Sequence, residues 1–220
     1  MTWVQVPMDA DDVFARTTRN RRAAADLLAS LTPDQWQAPT LCEGWTVRHL
    51  AAHLVQPMVV GFGRFLLASL RHRGDTAATV DHVTRSLARR EPTELVSLLR
   101  ERAADRVDPP RVGPMGPFAD TCIHLRDIAR PLGLPADVPR EDWLLLLDHL
   151  ASGTAAPALT RPGWTDGLAL RATDADWARG SGAVVEGAVE ALAMAVTGRP
   201  AALDDLRGPG VGVLRERLAR

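Results

Sequence analysis

The sequence predicts a mainly α-helical fold: an up-and-down four-helix bundle followed by a small α+β domain. Apolar residues recur at helical spacing in several long segments before residue 153. Short connections rich in Pro and Gly separate these segments, and after Gly153 short apolar runs bounded by turn residues are typical of strands. We therefore expect a helical domain over residues 1–153 and an α+β domain over residues 165–220.

The first half of the predicted bundle has clear helix boundaries. Acidic residues at 9, 11 and 12 favour the positive end of a helix over 9–30. Pro33 suits the first turn of a short helix, and Thr46 is a good N-cap for a long helix over 46–71. Pro57 lies inside that helix and cannot donate to the carbonyl of His53, so we expect a kink there.

The second half contains four further helices, over 76–89, 92–106, 118–130 and 139–152. The Pro- and Gly-rich segment 108–117 separates the second from the third, and Gly153 ends the last. In the C-terminal domain we expect strands over 167–173 and 183–186, and then a helix that ends before Gly198. A final helical segment is interrupted at residues 208–210.

Composition limits the classes of function. The chain has 220 residues with 46% hydrophobic and 24% charged residues and a net charge of -1, which is not the footprint of a nucleic-acid or anionic-membrane binder. Cys42 and Cys122 are too few for a disulfide scaffold. The N-terminus lacks the pattern of a signal peptide, and no apolar run is long enough to cross a bilayer. We expect a cytoplasmic protein with reduced thiols, no nucleic-acid partner and no membrane partner.

The residues most capable of chemistry are His53, Asp120, His124 and Asp127. Asp120 and His124 are four residues apart and share one helical face, and Asp127 lies on the same side. Asp120 and His124, together with His53 from a facing helix, would give a three-ligand set of the kind that holds catalytic zinc. Asp127 would then accept a hydrogen bond from one of the ligand imidazoles. Spacing alone leaves the alternative open that these are a surface pair and a hydrogen-bonded core histidine.

Other candidates have simpler interpretations. His49 and His53 are also four residues apart, but the Glu of the zincin motif is missing, so we expect His49 to complete the helix cap. Cys42 or Cys122 could be a nucleophile or a ligand, and we interpret both as inert thiols. Cys122 lies on the opposite side of its helix from Asp120 and His124.

Three segments carry a resemblance to a known family. The stretches LTPDQW (31–36) and LCEGWTVRHLAAHL (41–54) resemble the N-terminal domain of the mycothiol-dependent maleylpyruvate isomerase family, which belongs to the DinB-like metal-binding bundles. The stretch DTCIHLRDIARPLGLP (120–135) is similar to the second signature of that family. The resemblance covers most of residues 9–150, and the tail resembles the C-terminal part of actinobacterial relatives.

The resemblance implies a divalent metal, for which we expect zinc, on His53, Asp120 and His124. The family usually has Glu where this chain has Asp120, and the shorter side chain reaches one methylene less. It further implies that a low-molecular-weight thiol such as mycothiol acts on a small electrophilic substrate in isomerase or transferase chemistry. The alternatives are a binding or regulatory module that has lost the ligand geometry, and a metal-dependent hydrolase with Asp127 as base. The sequence is compatible with a homodimer as well as with a monomer.

Overall fold

The computed structural model describes residues 9–110, 112–136, 138–153 and 155–219. The N-terminal segment that bears on a signal peptide lies outside these ranges. The α-helices within them are α1 (Ala10–Ser30), α2 (Pro33–Gln37), α3 (Val47–Val59), α4 (Phe62–Arg71), α5 (Thr76–Leu87), α6 (Pro92–Glu101), α7 (Met115–Ala129), α8 (Arg140–Ala151), α9 (Val189–Val196) and α10 (Gly210–Leu218). The strands are β1 (Leu168–Ala172), β2 (Ala178–Gly180) and β3 (Ala183–Gly187), and Pro200–Asp205 forms a 3-10 helix.

Four helices form the bundle that positions the candidate site. Helix α1 packs against α6 and α7, and α3 packs against the same two helices, so α1 and α3 occupy opposite corners of the bundle. Helix α5 packs on the outside against α3. Fully buried aliphatic residues such as Leu28, Leu50, Leu99 and Leu125 fill the interior, one from each of these four helices.

The prediction of one long, kinked helix over 46–71 is wrong, because this segment forms two helices, α3 and α4. Helix α3 ends at Val59, two residues after Pro57, and Val60 is extended. Gly61 then serves as the N-cap of α4. Pro57 removes one backbone donor, and the β-branched pair Val59 and Val60 followed by Gly61 gives little helical propensity with which to continue.

The C-terminal sheet has the strand order β2-β1-β3. Strand β1 pairs antiparallel with β2, with Ala169 opposite Gly180, and parallel with β3, with Leu170 opposite Val185. The two expected strands, over 167–173 and 183–186, are confirmed as β1 and β3. Strand β2 was not predicted, because its residues Ala178, Arg179 and Gly180 are neither β-branched nor aromatic.

The chain divides into two compact units, and the division differs from the expected domains. One unit contains residues 1–109 and 113–137, and the other contains residues 110–112 and 138–220. Helix α8, which we expected in the bundle domain, belongs to the second unit and packs against α9. The fully buried Leu146 and Leu147 of α8 and Leu192 of α9 give this unit its own core.

None of the helices in the described ranges combines the length and the apolar character that crossing a bilayer requires.

Candidate metal site

Helix α3 carries His53 in the second turn after its N-cap. Thr46 is the N-cap, and its N–H donates to His49 Nδ1 at 3.2 Å. The expected role of His49 in the cap is therefore confirmed. Leu50, Ala51 and Leu54 are buried and fix the inward face of the helix, so His53, which is adjacent to Leu54, lies at the edge of the core.

Helix α7 carries Asp120, His124 and Asp127 on one face. The helix is buried along most of its length because it lies between α1 and α3. Asp127 is completely buried, whereas the side chain of Asp120 is 33% exposed. The polar face of this helix therefore runs from a buried carboxylate at one end to a solvent-accessible one at the other.

His53, Asp120 and His124 meet at one point. The imidazole rings of His53 and His124 have centroids 5.0 Å apart and are nearly perpendicular. The carboxylate of Asp120 lies beside both, with Oδ2 3.8 Å from His53 Nε2 and Oδ1 3.8 Å from His124 Nε2. One potential ligand atom from each residue lies within 4.8 Å of the other two. The predicted convergence of the two helices is thus observed.

His124 is oriented from its other side by Asp127. The distance from His124 Nδ1 to Asp127 Oδ2 is 2.9 Å. Because an ionised carboxylate only accepts hydrogen bonds, the Nδ1 proton is held there and Nε2 faces Asp120 and His53. This is the arrangement by which a buried carboxylate fixes the tautomer of a metal-binding histidine.

His53 is supported by packing and not by hydrogen bonds. Its Nδ1 is buried without a partner among the described residues, and its Nε2 is too far from Asp120 for a hydrogen bond. The ring of Trp45 lies beside it, with centroids 5.2 Å apart. Trp45 Nε1 donates to Asp81 Oδ1 at 2.8 Å, and Arg85 donates to the same carboxylate. Trp45 therefore forms a fixed wall of the site.

The pKa values of the two histidines are shifted in opposite directions. Burial, which outweighs the attraction of Asp120, lowers the pKa of His53 to about 4. Burial acts in the same direction on His124, but its hydrogen bonds with Asp127 and Cys42 outweigh it and raise the pKa of His124 to about 10. In the metal-free protein at neutral pH, His53 is therefore neutral and His124 is protonated.

A second group of potential ligands, Cys42, His124 and Asp127, shares His124 with the first. Its atoms already satisfy one another, since Asp127 Oδ2 lies 2.9 Å from His124 Nδ1 and 3.3 Å from Cys42 Sγ. The atoms of the first group make no hydrogen bonds to one another. An ion fits better among atoms that make no hydrogen bonds to one another, so we interpret the group around Cys42 as a support for the first group.

The residues of the first group fit a small divalent ion. Bonds of about 2.0–2.1 Å in tetrahedral geometry separate ligand atoms by roughly 3.3 Å. The two 3.8 Å distances join the rings to different Asp120 oxygens, and one ligand atom from each residue lies within 4.8 Å of the others, so the side chains would move closer together to share one ion. Two imidazole nitrogens and one carboxylate oxygen are a donor set that suits zinc. The side-chain exposure of 33% at Asp120 leaves a path by which a further ligand could reach the ion.

The role of Cys42 is the main feature that sequence analysis missed. Cys42 is only half-buried, and its thiol contacts Asp127 and His124 instead of lying inert in the core. Cys122 is buried on the other side of α7, where the side-chain amide of Asn20 lies 3.6 Å from its sulfur. Only the position of Cys42 immediately before the Gly44 turn could have drawn attention to it.

Comparison with known proteins supports the family resemblance. Residues 17–122 match the family model described as the mycothiol maleylpyruvate isomerase N-terminal domain. This segment begins within α1, ends within α7 and includes His53 and Asp120, so this part of the chain is similar to that domain family. A search of curated proteins by sequence found no match.

Solved structures show the same fold. A histidine-to-alanine mutant of the mycothiol-dependent maleylpyruvate isomerase matches with a TM-score of 0.61 and 15% identity, covering 92% of this chain and 93% of the other. A second crystal structure of mycothiol-dependent maleylpyruvate isomerase matches with a TM-score of 0.57 at the same identity and coverage. The predicted fold class, a mainly helical bundle with a small C-terminal sheet, is confirmed.

Proposed function

We propose that the first unit binds one divalent metal ion, zinc by its donor set, through His53 Nε2, His124 Nε2 and a carboxylate oxygen of Asp120. The observation that carries this proposal is the cluster itself: three potential ligand atoms face one another without hydrogen bonds, beside a carboxylate that orients His124. Two imidazole nitrogens and a carboxylate oxygen that converge in this way are a donor set that can share one divalent ion.

We further propose that the protein uses a low-molecular-weight thiol, mycothiol or a close analogue, in isomerase or transferase chemistry on a small electrophile. The family match and the isomerase-like fold support this class of reaction. A divalent metal bound here would favour the thiolate form of such a thiol at neutral pH.

The chain's own residues would have separate tasks in this chemistry. Asp127 holds the proton on His124 Nδ1, so Nε2 is the nitrogen that would lose its proton and bind the ion. Trp45 fixes the ring of His53 by contact and closes that side of the site. The partly exposed side chain of Asp120 marks the side from which the thiol and its substrate would enter.

The position of Asp127 argues against metal-dependent hydrolysis, for which it was the candidate general base. Asp127 is completely buried, and its Oδ2 already accepts from both His124 and Cys42. A general base must reach the proton of the attacking water, directly or through one further water. The alternative of a binding or regulatory module depends on whether Asp120 is an adequate ligand.

Metal analysis of protein purified without chelators tests the proposed site. We expect close to one equivalent of divalent metal in the wild type, and loss of binding in His53→Ala and in His124→Ala, because a three-ligand site tolerates no missing ligand. His82→Ala, which removes an exposed histidine of α5, is the matched control and should bind like the wild type. Less than about a tenth of an equivalent in the wild type, even after incubation with zinc, would refute the site.

A direct assay then tests the reaction class. The metal-loaded protein should accelerate cis–trans isomerisation or thiol addition on small activated alkenes only when mycothiol or a related thiol is present. Activity with the metal but without any thiol would instead indicate hydrolytic or other metal chemistry.

A further inference from the structure

Two neighbouring residues of the loop between α2 and α3, Leu41 and Cys42, contact Asp127 of α7. The Leu41 N–H donates to the backbone carbonyl of Asp127 at 3.2 Å. The next residue, Cys42, places its sulfur 3.3 Å from Asp127 Oδ2. A main-chain bond and a side-chain bond from neighbouring residues therefore fix the position of this loop on the helix that carries the candidate ligands.

The Cys42 thiol and the His124 ring share one acceptor atom. Asp127 Oδ2 lies 2.9 Å from His124 Nδ1, and Cys42 Sγ lies 3.8 Å from that same nitrogen. The terminal torsion of a carboxylate is broad, so rotation of the Asp127 side chain about it would turn Oδ2 away from His124. A second donor on the same oxygen restricts that rotation and thereby the direction of the His124 ring.

We propose that Cys42 is a positioning residue for the metal site. Its S–H donates to Asp127 Oδ2 and keeps that carboxylate in the orientation that directs His124 Nε2 toward Asp120 and His53. Cys42 acts through Asp127 and does not itself bind the ion. This inference rests on the proposed metal site.

Titration with Co²⁺, followed by its visible absorption, tests the inference on the full-length protein. Cys42→Ala and Cys42→Val, which lack a donor, should bind Co²⁺ about three- to tenfold more weakly with an altered visible spectrum, a smaller effect than the about 10–100-fold loss when a supporting residue that contacts the ligand directly is removed. Cys42→Ser, which keeps a donor, should restore most of the affinity and the spectrum. Cys122→Ala, which removes the thiol on the far side of α7, should behave like the wild type.

Each outcome of this titration is decisive. If the wild type binds Co²⁺ and Cys42→Ala and Cys42→Val bind equally well, or if Cys42→Ser is as weak as they are, the positioning role is refuted while the metal site stands. An intense near-ultraviolet thiolate-to-cobalt band in the wild type that is absent from Cys42→Ser would make Cys42 a direct ligand and also overturn the inference. If the wild type binds no Co²⁺, the metal site and the positioning role are both refuted.

Circular dichroism of each variant establishes that it is folded. If Cys42→Ala is not folded, Cys42→Val takes its place in the comparison.

Discussion

Asp120 lies beside both imidazoles of the candidate site. Each of its carboxylate oxygens faces a different histidine at 3.8 Å. An aspartate so placed can reach an ion between the rings without the extra methylene of glutamate, because both helices already bring the rings within 5.0 Å of each other, measured between centroids.

Substitution of Asp120 distinguishes a working site from a decayed one. We expect Asp120→Ala to weaken zinc binding by at least about tenfold, because it leaves two ligands where catalytic sites have three. Asp120→Glu should bring no gain beyond about threefold, since the present geometry already suits the shorter side chain. Zinc affinity is measured by competition with a chromophoric chelator. A large gain in the glutamate variant would favour the binding or regulatory module.

The two histidine pKa values predict how metal binding depends on pH. With a pKa of about 4, His53 is already neutral at pH 6, whereas His124, with a pKa of about 10, must lose one proton to bind through Nε2. Metal affinity should therefore rise about tenfold per pH unit between pH 6 and 9, with about one proton released per ion. Calorimetry in buffers of different ionisation enthalpy measures that release. An affinity that levels off above pH 7 would contradict the raised pKa.

At the scale of elements, the turn before α3 determines where Cys42 and Trp45 lie. Gly44 has φ +74°, and the Trp45 N–H donates to the Cys42 carbonyl across the turn at 3.0 Å. A residue with a Cβ is strained in this left-handed conformation. The conformation of Gly44 therefore fixes the positions of Cys42 before the turn and Trp45 after it.

Replacement of Gly44 by alanine should therefore affect both the fold and the site. We expect Gly44→Ala to lower the free energy of unfolding by about 1–2 kcal/mol and to weaken metal binding, measured by urea denaturation and zinc competition. Gly61→Ala is the matched control, because Gly61 has φ -62° and a Cβ there would meet no atom within 4 Å. Equal stability of the Gly44 variant and the wild type would show that the turn tolerates a side chain.

At the scale of the whole chain, the observed units and the expected domains differ in where they assign α8. The apolar pattern of this helix predicts its existence and its buried face, but not which partner covers that face. The structure pairs it with α9, in the unit that also holds the sheet. Whether residues 138–153 fold with that unit or with the bundle is a question of cooperativity, and the division into folding domains stays a prediction.

Hydrogen exchange on a core variant of α8 answers that question. Leu147 is completely buried, so Leu147→Ala should cost about 2–5 kcal/mol. We expect the loss of protection to extend over α8, α9 and the strands and to spare α1, α3 and α7. Leu125→Ala in α7 is the complementary variant and should produce the reverse pattern. Loss of protection in α1 and α3 on substitution of Leu147 would favour the sequence-based boundary near residue 153.

The sequence by itself determined the helices, their caps and the shared face of Asp120 and His124, because helical periodicity and capping act over three or four residues. The place of His53 beside the apolar face of its own helix made it the candidate third member, and the family resemblance implies the same residue. Only the tertiary structure decided that Ala178–Gly180 pairs as a strand and that Cys42 reaches Asp127, 85 residues away. These features depend on contacts between distant segments, which local patterns do not encode.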